Sequence, residues 1–229
     1  MPREAYLDSV LPPAVIRLRN VTIRYGERVI LDSLNWTVRE GEHWALTGAN
    51  GSGKSTLLSL INADNPQAYA HDIELFGRPR GTGETIWDIK RKIGFVSPEL
   101  HRAFRQDATA LNIVTSGHFD TEGLFRKPSE EQKAVARQWM EEFGIGDLAE
   151  RPFLRLSGGE QRWCLGAGAF VKDPPLYILD EPLQGLDEPQ RKHVKALLDR
   201  YCGAPGKTLV MVTHYPEEYP GCIDHSLTL

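Results

Sequence analysis

Nine residues, GANGSGKST from Gly48 to Thr56, constrain this chain more than any other stretch. They fit the spacing G-x-x-x-x-G-K-[S/T], follow a short apolar run, HWALT, and open a segment, KSTLLSLIN, with helical apolar spacing. A strand must therefore end where a helix begins, with glycines at the corner. Glycines let successive backbone N–H groups turn toward one point, and the helix N-terminus adds the positive end of its dipole. Such a corner cradles phosphates. Lys54 is placed to reach the β- and γ-phosphates of a nucleotide, and Ser55 to offer its hydroxyl to Mg²⁺. Gly48, Asn50, Gly51, Ser52, Gly53 and Thr56 complete the loop. A plain glycine turn is the bland alternative, and motif and context together argue against it.

The rest of the pattern builds a sheet around that corner. AVIRLRNVTIRYG alternates and is β-rich, and ERVILDSLNWTVREGE suits a hairpin partner. DIELFG, IGFVS, PLYILDEP, KTLVMVTH and HSLTL read as further strands, the third and fourth apolar enough for a fully buried parallel sheet. Between about Thr109 and Phe153 the pattern turns helical: SEEQKAVARQWMEEFG is amphipathic, with Ser129 as its cap and glutamates in its first turn. LSGGEQRWCLGAGAFVKD and EPQRKHVKALLDRYC are also helical. Strands alternating with helices imply an α/β fold with a largely parallel sheet, an antiparallel hairpin part and an inserted helical subdomain.

Two of the strands end in reactive residues. LYILDEP sets Asp180 and Glu181 at the C-terminal end of a buried strand, where ligands of open α/β sheets gather. Asp180 is suited to hold Mg²⁺ through water, and Glu181 to polarise an attacking water as general base. Adjacent carboxylates at a strand end are often a solvated loop start; behind a phosphate loop the catalytic reading prevails. His214 follows LVMVT, again at a strand end, where it could contact the γ-phosphate or help hold the water. Tyr25, upstream of the loop, could stack on a base, or be an ordinary strand aromatic.

Composition narrows the setting. With 229 residues, 41% hydrophobic and 25% charged, the chain suits one large globular domain. A net charge of −4 gives no bulk pull toward nucleic acid or anionic lipid. The basic runs GRPRG and DIKRKIG are short and read as solvated faces. Cys164, Cys202 and Cys222 fit no metal-ligand spacing and read as reduced thiols of a cytoplasmic protein. The polar leader MPREAYLDSVLPPAV has no signal-peptide core, and no apolar run approaches the ~20 residues that span a bilayer.

In order along the chain, Tyr25, GANGSGKST, a helical segment, LSGGEQ, LYILDEP, LQGLD and TH resemble the nucleotide-binding domains of ABC ATPases. The resemblance covers nearly the whole chain and implies a P-loop NTPase fold of ABC type. In these terms residues 1–229 form one ABC domain, with 14–96 and 165–229 as the nucleotide-binding core and 97–164 as the helical subdomain. It implies ATP and Mg²⁺ as cofactors, ATP hydrolysis, and a head-to-tail pair in which Ser157, Gly158 and Gly159 of one copy close over the ATP held by the other. Asp187 resembles the residue that crosses that interface. The partner would be a second ABC domain, its own copy or a tandem half. A transport role adds membrane permease subunits and a peripheral place at the inner face of the membrane.

GETIWDIKRKIGFVS, LSLINADNPQAYAHDIELFG and ILDEPLQGLD are similar to the C-terminal half of ModF/PhrA-type proteins, tied to molybdenum transport or photorepair. Those carry two ABC domains in one chain, so half of a tandem protein is expected. The alternative role is a soluble ABC ATPase in DNA repair, regulation or translation. Pro98, or Ser97, stands where the family places a glutamine that touches Mg²⁺ and water, and proline cannot supply those contacts.

Overall fold

The computed structural model describes residues 10–99, 107–119 and 127–229. The first nine residues of the leader and parts of the expected helical subdomain lie outside this range. Five described strands, β3 (His43–Thr47), β6 (Ile93–Val96), β7 (Leu176–Asp180), β8 (Thr208–Val212) and β9 (His225–Thr228), form a sheet in the order β6-β7-β8-β3-β9. Every neighbouring pair in it is parallel. A second, antiparallel sheet runs β2-β1-β4-β5, from β1 (Ala14–Tyr25), β2 (Arg28–Arg39), β4 (Asp72–Leu75) and β5 (Arg78–Pro79). The turn between β1 and β2 is closed at the Tyr25–Arg28 pair, as the hairpin reading expects.

The apolar runs are explained by two cores. Along β7 and β8 successive side chains point to opposite faces. Leu176, Ile178, Val210 and Val212 pack with the antiparallel sheet and with α1 (Lys54–Ile61), which buries Leu57, Leu58, Leu60 and Ile61. Tyr177, Leu179, Leu209 and Met211 pack on the other side with the helices. Both faces are covered, so neither strand alternates in polarity.

On that second side lie α3 (Ala110–Ser116), α4 (Glu130–Glu142), α5 (Gly158–Phe170) and α6 (Glu188–Cys202); a short α2 (Ile86–Lys90) lies beside β6. Helix α4 starts at Ser129 with the expected cap: the Ser129 hydroxyl accepts the Gln132 N–H, and the Gln132 side chain accepts the Ser129 N–H. Phe143, Trp163, Phe170, Tyr177 and Tyr201 meet edge-to-face or stacked at centroid distances of 4.2–5.8 Å. Such pairs add to the burial of their own area.

One sequence expectation fails here. GRPRG is not a solvated face throughout, because Arg80 is buried. Its guanidinium lies 2.7 Å from Glu84 Oε1 and 4.7 Å from the ring centre of Tyr69. Glu84 also accepts the N–H groups of Gly81 and Thr82, so the turn folds around its carboxylate and carries Arg80 inward. In DIKRKIG, Arg91 is exposed as expected, while Lys90 pairs with Asp64 at 2.5 Å.

Candidate nucleotide site

The phosphate loop forms where β3 gives way to α1, at the C-terminal end of the parallel sheet. Gly53 caps α1 at φ +103°, and a Cβ there would come within 2.8 Å of Leu31 and 3.0 Å of the Ile30 carbonyl. Only glycine suits both the left-handed backbone and the close approach of β2. The Lys54 ammonium curls over the loop and donates to the carbonyls of Gly48 at 2.7 Å and Ala49 at 2.9 Å. It is thereby held above the concavity that a phosphate would fill.

A cleft of about 450 Å³ opens over this loop. It brings together Tyr25, Asn50, Gly51, Gly53, Lys54, Ser55 and Thr56 with Asp180, Glu181 and His214 from the ends of β7 and β8. Tyr25 is half exposed at the cleft, and its hydroxyl accepts a hydrogen bond from Asn65. Gly48 and Ser52 belong to the loop; the Ser52 hydroxyl is buried without a partner among the described residues. Arg28, Glu99 and Gln184 also line the cleft. Sequence reasoning did not single these three out. Glu99 lies one residue beyond Pro98, the position of the expected glutamine, and its carboxylate faces Asp180 closely enough to disfavour the charge there.

The carboxylates are electrostatically loaded. Burial pushes the Asp180 carboxyl from an ordinary 3.8 up to about 6, and Glu99 and Glu181 add to the shift. A small apolar cavity of about 50 Å³ beneath Asp180 and Glu181, walled by Phe143, Trp163, Leu179 and Leu186, accounts for the poor solvation. Glu181 is also raised, by burial first, against the opposing pull of His214. Its backbone is left-handed at φ +51°, held by an N–H bond to the Val212 carbonyl at 2.9 Å. That conformation costs a non-glycine residue about 1–3 kcal/mol and recurs at functional sites. Glu181 Oε1 lies 3.4 Å from His214 Nε2, an ion-pair distance too long for a good hydrogen bond.

Three carboxylates, of Glu99, Asp180 and Glu181, and the Ser55 side chain line one cleft and form an oxygen donor set that fits a hard divalent cation. Without the cation, the charge on Asp180 is a cost. Because its folded pKa lies above the unfolded value, stability is lost as pH rises from about 4 toward 6. Asp180→Asn should therefore stabilise the nucleotide-free, Mg²⁺-free protein at neutral pH by on the order of 1 kcal/mol and leave it unchanged near pH 4. Thermal denaturation at the two pH values checks this; equal stability of the two proteins at neutral pH would refute the account.

Ser157, Gly158, Gly159 and Asp187 do not line this cleft. Ser157 caps α5: its hydroxyl accepts the Glu160 N–H, and Glu160 accepts the Ser157 N–H at 2.7 Å. Ser157 and Gly158 are exposed. Asp187 caps α6 in the same way through Gln190 and is exposed as well. The two elements are joined by Arg162 of α5, which donates to the Gln184 carbonyl. Beside that guanidinium Gly185 turns at φ +80°, a left-handed backbone that suits glycine.

A glycine loop between strand and helix, a histidine on the adjacent strand and two carboxylates on the strand beyond it define a P-loop nucleotide-binding domain. Comparison with known proteins is narrower. The family model described as "ABC transporter" matches residues 31–184, and the chain belongs to this family as an ABC ATPase domain. It is 46% identical over 230 residues to the ABC transporter ATP-binding protein ModF of Escherichia coli (strain K12), covering 99% of this chain and 47% of ModF. An ABC transporter ATP-binding protein of Schizosaccharomyces pombe is 37% identical, over 92% of this chain and 43% of its own length. The chain thus spans about half the length of these relatives. A dimeric bacterial ABC transporter cassette superposes with a TM-score of 0.79 at 28% identity, covering 93% of this chain and 94% of the cassette. The same cassette in a post-hydrolysis state bound to ADP and Pi gives 0.76 at 29% identity, over 89% of each chain. The expected fold and the expected resemblance to ModF-type ABC ATPases both hold. Among the described residues no helix is long and apolar enough to cross a membrane.

Proposed function

We propose that the chain binds Mg-ATP in this cleft and hydrolyses it within a head-to-tail pair of ABC domains. The observation that carries the reading is the separation of the two glycine elements. Phosphate loop and carboxylates share one cleft, while Ser157, Gly158 and Gly159 present a helix N-terminus to solvent elsewhere. Each domain so arranged offers two halves of a site to a neighbour, an isologous pairing of C₂ type. Mg²⁺ would be held by Ser55 and Asp180 with Glu99 nearby, and would supply charge neutralisation at the phosphates. Glu181 accepts a proton from water, His214 orients Glu181, Lys54 binds the phosphates and Tyr25 offers a face to the base. The N–H groups of Gly158 and Gly159, the Ser157 hydroxyl and Asp187 act on the neighbour's nucleotide.

The division into a core of 14–96 and 165–229 and a helical subdomain of 97–164 belongs to this reading. So does the placement of the chain as half of a tandem ModF-like protein linked to molybdate transport, docked on permease subunits at the inner face of the membrane. The ModF resemblance over half that protein's length supports it. Pro98 at the position of the family's coupling glutamine favours the second reading, a soluble ABC ATPase that drives no permease.

Light scattering on Glu181→Gln, with and without Mg-ATP, tests the pairing. A shift from monomer to dimer on adding Mg-ATP is expected. A monomer that binds ATP and stays monomeric would refute pairing with an identical copy.

A further inference from the structure

At the opposite end of the parallel sheet from the nucleotide, three segments converge. His43 begins β3, Cys202 ends α6, and Cys222 lies in the lead-in to β9. One ligand atom from each lies within 4.8 Å of the other two. His43 and Cys202 are buried, each 8% exposed, and Cys222 is partly exposed. His43 Nε2 is 3.2 Å from the Lys207 carbonyl, which fixes that nitrogen as the N–H donor and leaves a lone pair on Nδ1. Among the described residues Nδ1 makes no good hydrogen bond: the nearest acid, Asp224 Oδ2, is 3.7 Å away. Asp224 is itself anchored, accepting the His43 N–H at 2.8 Å, and the Cys222 N–H donates to Asp199 at 2.8 Å.

We propose that His43, Cys202 and Cys222 form a binding site for a zinc-like divalent cation that staples β9 and the end of α6 to the start of β3. Two thiols and one imidazole match the borderline-soft preference of such an ion. The Lys207 carbonyl is the outer partner that a metal-bound histidine ordinarily has. Asp224, 3.7 Å from His43 Nδ1 and paired with His225 at 2.6 Å, is the carboxylate beside the site, and water completes four-coordination. Binding takes both thiols as thiolates and releases their two protons to solvent; the cation, the two thiolates and the neutral imidazole then carry no net charge.

The rival use of a close thiol pair is a disulfide. A disulfide would leave unexplained the buried imidazole that offers a ring nitrogen within 4.8 Å of both sulfurs. No sequence spacing marks the site, because the histidine comes from a strand far upstream of both cysteines.

Cobalt(II) added to metal-free, reduced protein is the test, with zinc content and melting temperature as second readouts. Expected are one cobalt per chain with thiolate charge-transfer and tetrahedral d–d absorption, and a zinc-dependent rise in melting temperature. Cys222→Ser, at the partly exposed position, should lose the charge-transfer intensity of one thiolate, and Asp224→Asn should weaken affinity by ~10-fold or more. ATP affinity should not change in either variant, since the cleft lies at the other end of β3. Absence of thiolate–cobalt absorption in the wild type, or its persistence unaltered in Cys222→Ser, would overturn the proposal. So would a Cys202–Cys222 disulfide in protein prepared without reductant that binds no cobalt.

Discussion

Glu181→Gln is expected to keep nucleotide binding and to lose steady-state ATP hydrolysis by roughly 10²–10⁴-fold. The side chain ends a buried strand, its backbone is locked by the Val212 carbonyl, and one oxygen lies 3.4 Å from His214. Glutamine preserves that shape and removes the basic oxygen. Burial holds the Glu181 carboxyl above its ordinary 4.5, so it gives a stronger base than a surface glutamate. The wild-type rate should accordingly fall as pH drops through a midpoint above 4.5, as protonation silences the base. Initial rates of phosphate release between pH 5 and 8 check both statements. Undiminished turnover in the variant would remove Glu181 from the role.

The second large effect concerns which chain completes which site. Lys54→Ala should abolish turnover by weakening the hold on the phosphates. Ser157→Arg should abolish it by filling the exposed helix N-terminus, while each monomer still binds ATP. In a head-to-tail pair of the two variants, one composite site carries both lesions and the other carries neither. Mixing two inactive proteins should then restore roughly a quarter of wild-type activity, given random pairing by equal association constants. A mixture as inactive as its components would mean that Ser157 does not act across an interface between copies.

The phosphate loop was legible because its chemistry demands glycines at fixed intervals, a constraint few other structures impose. The buried strands were legible too, since being covered on both faces leaves β7 and β8 no polar alternation to display. What stayed hidden was set by tertiary context. Arg80 reads as a surface charge from its neighbours in sequence, and only the turn folded around the Glu84 carboxylate carries it inside. Glu99 carries no motif of its own, and that its carboxylate joins Glu181 in pressing on Asp180 depends on how its segment packs against the end of β7. His43, Cys202 and Cys222 come from segments whose meeting depends on the parallel order β8-β3-β9, which no local spacing encodes.

The Arg162 latch carries a consequence for signalling between sites. Through it, the helix that would touch a neighbour's nucleotide is tied to Gln184, which faces the chain's own. Displacement at one end then has a direct route to the other. Two bound nucleotides would act as a coincidence detector, each reporting its presence to the far pocket through that bond, and the coupling must run equally in both directions.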